Sequence, residues 1–341
     1  MCRWFAYVSP DEECLLEDVL ITPKHSISRQ VNDHYLPKLL SHDPDQVTTE
    51  REISTRNRLL NVDGVGIAWY TSGREDFNEC KGLRPALYKT ISPPLVDFNF
   101  RNVCANTATK VCFAHIRYTT GSAVTPVNNH PFTFGRHTFM HNGEISDFVS
   151  IKRELCLAID DAAYGHIQGS TDSEHMAALY MSNLAAGRGA LAWEEQYSVA
   201  QMRAALLKTV HTVIELQQKK LGPKAQPNSL NLAATDGSRF VTYRFRNHAV
   251  EQPPSLYYSS TAGVTLNRKF PDHPDGVQNG RKPLKAAKDH GPHVIVASEP
   301  STYKSEDWTV IEKNHSLTVH DDGKIVIEEI PYPKSWNAEM N

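Results

Sequence analysis

Met1-Cys2-Arg3-Trp4-Phe5-Ala6-Tyr7-Val8 opens the chain and places a thiol directly before a stretch that alternates as a strand does. A small second residue favours removal of Met1, which would leave Cys2 with both a thiol and a free α-amine. An α-amine titrates near pH ~8 and can act as a base at neutral pH. Nucleophile and base would then lie on one residue. The alternative interpretation is that position 2 holds a small apolar residue entering a strand.

The overall composition is that of an ordinary globular protein, with 40% hydrophobic and 22% charged residues in a chain of 341. This length suffices for a substantial core in one large domain or two small ones. The net charge of −3 and the lack of a Lys/Arg run argue against binding to nucleic acid or a membrane surface. No apolar stretch approaches the roughly 20 residues that span a bilayer. Because acidic residues at 11–13 and 17–18 interrupt any signal-peptide core, we expect a cytosolic protein.

Six cysteines, at positions 2, 14, 80, 104, 112 and 156, show no framework spacing, which predicts reduced thiols. Cys112-x-x-His115 has the spacing of half a zinc site, but no second ligand pair follows. We therefore predict no metal site and expect Cys112 and His115 to pack within a strand.

The order of periodic segments favours an α+β domain in which helices cover antiparallel sheets. Asp236-Gly237 and Asp322-Gly323 predict hairpins, Gly66 predicts close approach of another backbone, and segments 172–184 and 199–221 have helical spacing. Strands are predicted at 3–8, 65–70, 86–89, 111–117, 138–141, 230–234, 240–246, 316–320 and 325–330.

We expect a single domain over residues 2–330, followed by a C-terminal tail over 331–341. Residues 267–292 are rich in proline, glycine and charge, contain little to bury, and are predicted to form a mobile surface insertion. Residues 41–58 are polar and predict a surface loop or exposed helix.

Three further segments contain residues suited to chemistry. The first is His115-Ile116-Arg117-Tyr118-Thr119-Thr120-Gly121, and the second joins Asn129-His130-Pro131-Phe132 to Phe139-Met140-His141-Asn142-Gly143-Glu144. The third, Ser170-Thr171-Asp172-Ser173-Glu174, opens a helix.

Each segment also has a purely structural interpretation. Arg117 suits a surface salt bridge, Asn142-Gly143 is a common turn dipeptide, and Thr171 with Glu174 matches a capping box. A capping box would leave the carboxylate of Asp172 available beside the helix N-terminus. His130 and His141 are expected to be hydrogen-bonded structural histidines.

This chain resembles class II (N-terminal cysteine) glutamine amidotransferases in the order and rough spacing of its motifs. These motifs are Cys2, the Arg117 segment, residues 141–143 and residues 171–174. The resemblance narrows to a stand-alone branch that includes the amidotransferase-like subunit of a fungal glutathione-degradation complex. The stretches that narrow it are Met1-Cys2-Arg3, Pro23-x-His25-Ser26, Asp63-Gly64-Val65-Gly66 and Ser298-Glu299-Pro300. This resemblance implies the four-layer αββα arrangement of N-terminal nucleophile hydrolases.

The resemblance implies that the Cys2 sulfur attacks a γ-carbonyl carbon while the α-amine of Cys2 handles the proton, directly or through a water. The side-chain amide of Asn142 and the backbone N–H of Gly143 would hold the oxyanion of the tetrahedral intermediate.

The resemblance further implies that Arg117 grips the substrate α-carboxylate as a fork and that Asp172 pairs with the α-ammonium. Thr120 is a further candidate contact for the carboxylate. Ammonia-channelling relatives often carry Trp and then Thr-His after the arginine, whereas Tyr118-Thr119-Thr120-Gly121 stands here. That difference leaves the leaving-group side of the pocket undefined.

We therefore predict a cysteine amidohydrolase that cleaves a γ-glutamyl amide bond, releasing glutamate from glutathione with Cys-Gly as leaving group. The reaction needs no metal or organic cofactor, and the expected partner is a peptidase-type subunit of a glutathione-degradation complex. Two alternatives stay open. One is a glutaminase or a hydrolase of another γ-glutamyl thiol conjugate, and the other is a catalytically silent subunit that supports a peptidase.

Overall fold

The computed structural model describes residues 2–31, 63–119, 121–271, 273, 285–302 and 304–337. Two large antiparallel sheets and a two-stranded pair, β2 (Cys14–Leu15) with β5 (Ala108–Thr109), form the strand framework. The seven-stranded sheet has the spatial order β13 (Thr309–Val310), β11 (Tyr257–Ser259), β12 (Val294–Ala297), β1 (Arg3–Val8), β6 (Val111–Ile116), β3 (Val65–Thr71) and β4 (Arg84–Thr90). The six-stranded sheet has the order β15 (Ile325–Glu329), β14 (His315–Val319), β10 (Phe240–Arg246), β9 (Ser229–Thr235), β8 (His137–Glu144) and β7 (Phe132–Phe134).

Helices cover the outer faces of both sheets. The helices of the described residues are α1 (Leu16–Leu20), α2 (Gly73–Asp76), α3 (Phe98–Asn106), α4 (Phe148–Ala158), α5 (Asp161–His166), α6 (Asp172–Ala185) and α7 (Val199–Leu221). None of them combines the length and apolar character that a bilayer crossing needs.

Side-chain alternation along β1 shows how the layers stack. Phe5 and Tyr7 pack with residues of α1 and α3, whereas Trp4 and Val8 pack into the core between the two sheets. All six residues of β1 are buried, because this central strand is covered on both faces. The sequence of layers is thus helices α1 and α3, the seven-stranded sheet, the six-stranded sheet, and finally α6 with α7.

The outer face of the six-stranded sheet carries the largest core cluster. Phe139 of β8 and Leu232 of β9 pack there against Met176 of α6 and Leu206 of α7. The neighbouring Met140 points to the opposite face and joins the core between the sheets. The structure therefore confirms the predicted α+β class and the four-layer αββα arrangement.

Segments 172–184 and 199–221 are helices, as predicted, and Asp236-Gly237 and Asp322-Gly323 both connect antiparallel neighbours. Strand β8 is longer than the predicted 138–141 because residues 142–144 continue the pairing with β9. The polar residues 41–58 lie outside the described part of the chain.

The first part of segment 267–292 differs from the prediction that it contains little to bury. Phe270 and His273 are 0% and 2% exposed. Arg268 forms ion pairs with Glu17 and Asp18 of α1, 2.7 and 2.5 Å long. These contacts tie the beginning of the segment to the helix layer beside β1, because a buried aromatic ring anchors it and two carboxylates hold its arginine.

Candidate active site

Cys2 directly precedes the central strand β1 and is partly buried. Its thiol donates a hydrogen bond to the carbonyl oxygen of Tyr118, and the backbone N–H of Tyr118 donates to the sulfur, each at 3.2 Å. The register of β1 with β6 pairs Arg3 with Ile116. Cys2 and the segment that follows Ile116 therefore emerge together at one end of the sheet.

The electrostatic surroundings of the thiol include two charged groups from distant parts of the sequence. Burial raises the pKa of Cys2 from its ordinary value, the guanidinium of Arg117 lowers it, and the carboxylate of Asp172 raises it. Burial favours the neutral thiol over the thiolate. A nucleophilic role at neutral pH consequently requires a nearby base.

Arg117 follows β6 and is buried, with 3% of its surface exposed. Its Nη1 donates to the Ala123 carbonyl and Asn129 Oδ1 at 3.0 and 3.3 Å. Its Nη2 donates to Ser122 Oγ and Thr119 Oγ1 at 2.6 and 3.3 Å. This environment differs from the surface salt bridge that was the structural alternative. All four acceptors are neutral oxygens, so the buried charge remains complementary to an anion.

Arg117 and the loop after it are held in part by Asp63 and Asn129, which lie in the quoted motifs but were assigned no role from the sequence. Asp63 accepts a hydrogen bond from the Thr119 N–H at 2.8 Å, and Asn129 donates to the Thr90 carbonyl at 2.9 Å. Thr120, the candidate carboxylate contact, lies outside the described residues.

Asn142 and Gly143 lie inside β8, paired with Asn231 and Leu230 of β9, so the turn interpretation of this dipeptide is wrong. A Cβ at Gly143 would lie 1.8 Å from the Ser229 carbonyl oxygen, and its φ is 138°. Only glycine fits that position, both for space and for backbone conformation.

The side chain of Asn142 is buried and directed toward the beginning of β1. Its Nδ2 donates to Ser298 Oγ at 3.4 Å, and the same hydroxyl accepts from the Trp4 N–H at 3.0 Å. A pocket at this place is lined by Cys2, Arg3, Asn142, Pro254, Ser255, Ser298 and Glu299. The thiol and the amide thus share one pocket.

Asp172 begins α6, but its carboxylate already has hydrogen-bond donors. Oδ2 accepts from the Ile145 N–H and Oδ1 from the Ser173 N–H, both at 2.8 Å. The carboxylate therefore joins the start of α6 to the residue after β8. Because anions are stabilised at a helix N-terminus, this position suits a carboxylate, and its charge also raises the pKa of the Cys2 thiol.

The residues around Asp172 correct the predicted capping box. Thr171 accepts from the Glu174 N–H at 3.2 Å, which is the expected half. The Glu174 carboxylate instead accepts from the backbone of Gln168 and Gly169 at 3.0 and 2.6 Å. His141 bonds to Ser173 Oγ at 2.9 Å, in keeping with a structural histidine.

Arg3 and Glu299, which the sequence did not identify as site residues, line the Cys2 pocket. Arg3 Nη2 lies 2.7 Å from Glu299 Oε1, and His25 Nε2 lies 3.4 Å from Glu299 Oε2. The signal for His25 and Glu299 was present in the Pro23-x-His25-Ser26 and Ser298-Glu299-Pro300 stretches, which the structure brings together.

The Cys112-x-x-His115 pair is buried in β6, where the His115 ring lies 4.0 Å from the ring of His130. Among the described residues, no group of three or more His, Cys, Asp or Glu side chains is placed to hold a metal ion. The six cysteines are free thiols.

Two facing antiparallel sheets between helix layers give this chain the fold of N-terminal nucleophile hydrolases, and Cys2 directly precedes the central strand β1. Residues 51–247 match the family model of class II glutamine amidotransferases. A Saccharomyces cerevisiae protein, named as probable glutamine amidotransferase DUG3, is 30% identical over 322 residues, which cover 94% of this chain and 82% of the yeast protein. The chain therefore belongs to the class II glutamine amidotransferases.

Solved structures agree with this fold. A glutamine aminotransferase class-II domain protein from Silicibacter pomeroyi matches with a TM-score of 0.58 and 20% identity, over 97% of this chain and 100% of that one. The glutamine phosphoribosylpyrophosphate amidotransferase of B. subtilis matches with a TM-score of 0.53 and 13% identity, over 97% of this chain and 50% of that one. At these identities the two structures support the arrangement of sheets and helices.

Proposed function

We propose that this protein is a cysteine-nucleophile hydrolase of γ-glutamyl amide bonds and that glutathione is its substrate. The observation that carries the proposal is the pocket that Cys2 shares with Asn142, next to a segment that contains the buried cation Arg117. We also propose that residues 2–330 act as one domain, since β1, β12 and β14 from both ends of this range complete the two sheets.

After removal of Met1, the α-amine of Cys2 takes the thiol proton as the sulfur attacks the γ-carbonyl carbon. The Asn142 amide and the Gly143 N–H stabilise the oxyanion; losing one such donor typically costs about 3 kcal/mol of transition-state stabilisation. The C–N bond then breaks, and the resulting ammonium returns its proton to the departing amine. Water attacks the thioester and gives a proton to the α-amine, the C–S bond breaks, the proton returns to the sulfur, and glutamate leaves.

Arg117 and Asp172 bind the α-carboxylate and α-ammonium of the glutamyl group. Both charges act electrostatically on the Cys2 thiol, which supports a site where the two ends of an amino acid lie within reach of the nucleophile. Glutathione as the substrate rests on the resemblance to the branch that degrades it. The Cys-Gly product would pass to a peptidase-type partner subunit in the cytosol.

Glutamate release by the purified chain tests the proposal, with removal of Met1 verified by intact mass. Glutathione, glutamine and other γ-glutamyl amides are compared, with and without candidate peptidase subunits. We expect glutathione to be cleaved and Cys2→Ala to abolish cleavage while the thermal unfolding temperature stays unchanged. Cys156→Ala, at a half-buried thiol on the outer helix α4, is the matched control and should retain activity.

Wild-type activity in the Cys2→Ala protein would exclude the mechanism. Cleavage of glutamine alone would favour a glutaminase. Lack of any cleavage with every partner would favour a catalytically silent subunit.

A further inference from the structure

The pocket at Cys2 contains a second pair of charges that the proposed mechanism does not use. Arg3 and Glu299 line this pocket together with Cys2 and Asn142. The described residues that line it include neither Arg117 nor Asp172. The pocket therefore has one charged wall besides the groups assigned to the glutamyl end.

The Arg3–Glu299 pair is buried and rigidly held. The two side chains are 11% and 8% exposed and their nearest atoms lie 2.7 Å apart. Ser298, directly before Glu299, donates its N–H to the Trp4 carbonyl at 2.9 Å and accepts from the Trp4 N–H at 3.0 Å. One ring nitrogen of His25 lies 3.4 Å from the Glu299 carboxylate, and the other lies 2.6 Å from the Pro300 carbonyl oxygen.

The position of this pair relative to the scissile bond follows from the shape of the substrate, and so this step rests on the proposed function. A γ-glutamyl amide has its α-carboxylate and α-ammonium on one side of the reacting carbonyl and the amine on the other. In this arrangement Arg117 and Asp172 bind the glutamyl end, and the carbonyl lies between Cys2 and Asn142. The amine of the substrate then faces the wall formed by Arg3 and Glu299.

We infer that Arg3 and Glu299 form the leaving-group subsite and that it selects a leaving group carrying both an N–H and a carboxylate. The guanidinium complements the carboxylate in a planar fork, and the Glu299 carboxylate accepts from the N–H. An amino acid or dipeptide leaving group has both features. Ammonia, released from glutamine, has no carboxylate, so the subsite favours γ-glutamyl peptides over glutamine.

A structural role for the same pair is the competing explanation, because the ion pair also ties β1 to Glu299, the second residue after β12. The effect of replacing Arg3 on the turnover of different substrates distinguishes the two roles. If Arg3 only positions Cys2, its replacement slows every substrate equally, whereas a leaving-group contact affects only substrates that carry the carboxylate.

The experiment compares kcat/KM for glutathione, glutathione with its glycine carboxylate converted to an amide, and glutamine, in the wild type and in Arg3→Lys. We expect Arg3→Lys to lower kcat/KM for glutathione about ten- to a hundredfold, the loss typical of a hydrogen bond to a charged group. The other two substrates should change less than about threefold. Arg84→Lys is the control, since Arg84 is also a buried arginine, paired with the more exposed Glu194 at 2.7 Å outside this pocket.

A binding measurement separates this inference from the proposed function. In the Cys2→Ala background, adding Arg3→Lys should raise the Kd for glutathione by the same factor and leave the Kd for its amide unchanged. An equal loss for all three substrates, or equal wild-type kcat/KM for glutathione and its amide, would overturn the subsite while leaving the hydrolase intact. Tighter binding of glutathione than of its amide, without turnover of either, would instead exclude the hydrolase activity and support the subsite.

Discussion

The buried charge of Arg117 has only neutral hydrogen-bond acceptors among the described residues. Arg117→Lys should raise KM for glutathione about ten- to a hundredfold, because a planar fork becomes a single point charge. The value of kcat should change less, since the thiol and the oxyanion donors remain. Steady-state kinetics measure both constants, and an unchanged KM would exclude Arg117 from substrate binding.

The pKa of the Cys2 thiol offers a test that needs no substrate. Arg117 lowers this pKa and Asp172 raises it, so Arg117→Gln should shift the pH dependence of thiol alkylation to higher pH and Asp172→Asn to lower pH. The alkylation rate follows the thiolate fraction. Iodoacetamide labelling of Cys2, followed by mass spectrometry, gives both curves. Shifts in the same direction would contradict the placement of these charges.

Candidate site residues could be proposed from the sequence where a motif ties them to one position. Their contacts with residues from distant parts of the chain could not. Cys2, Arg117 and Asn142 follow from the resemblance. The Asp172 contact to the Ile145 N–H joins residues far apart in the chain, which no local pattern reveals. The same holds for Glu299, which meets Arg3 only because β12 pairs with β1.

Strand β3 illustrates how an element controls the site through packing. A Cβ at Gly66 would lie 1.9 Å from the His130 carbonyl oxygen. The neighbouring Asn129 accepts from the Arg117 guanidinium. Gly66→Ala should therefore displace the 129–130 segment, destabilise the protein by about 1–3 kcal/mol as overpacking does, and raise KM.

Urea unfolding and steady-state kinetics measure the two effects of Gly66→Ala. Gly165→Ala is the control, because nothing lies within 4 Å of its added Cβ and alanine is favoured over glycine in the helix α5. Wild-type stability in Gly66→Ala would show that the β3 backbone does not need this close approach.

Long, strongly periodic elements were predictable, and short ones were not. The predicted limits of α7 agree with the structure because Ser198 and Gln201 form a capping box and Gly222 follows the last turn. Strands β2, β5 and β13 have two residues each, too few to show a period. The Gly66 contact was predicted because a glycine inside a strand pattern marks a close backbone approach.

At the scale of the whole molecule, periodicity predicted the α+β class, whereas the four layers came from the resemblance. Periodicity could not predict the layers because the residues of β1 and β6 are buried on both faces. Such strands do not reveal which face meets helices and which meets the other sheet. That choice depends on pairing between distant strands, such as β1 with β12.

Buried histidines in several layers predict that the whole fold is sensitive to acid. Burial lowers the pKa of His115 to about 3 and those of His137 and His293 to about 4. An unfolded histidine titrates near pH ~6.5. As the pH falls below this value, the unfolded chain binds protons that the folded chain does not, so stability is lost between the unfolded and folded pKa values.

Each such histidine removes up to about 1.4 kcal/mol of unfolding free energy per pH unit. For these three histidines together, we expect the free energy of unfolding to fall by roughly 3 to 4 kcal/mol between pH 6 and 5. This interval lies above the range in which most carboxylates titrate. Urea unfolding at several pH values measures this slope. His137→Gln should reduce it by about 1 kcal/mol per pH unit, since the unfolded chain then takes up one proton fewer. An equal stability at pH 6 and pH 5 would mean that the buried rings gain protons without unfolding.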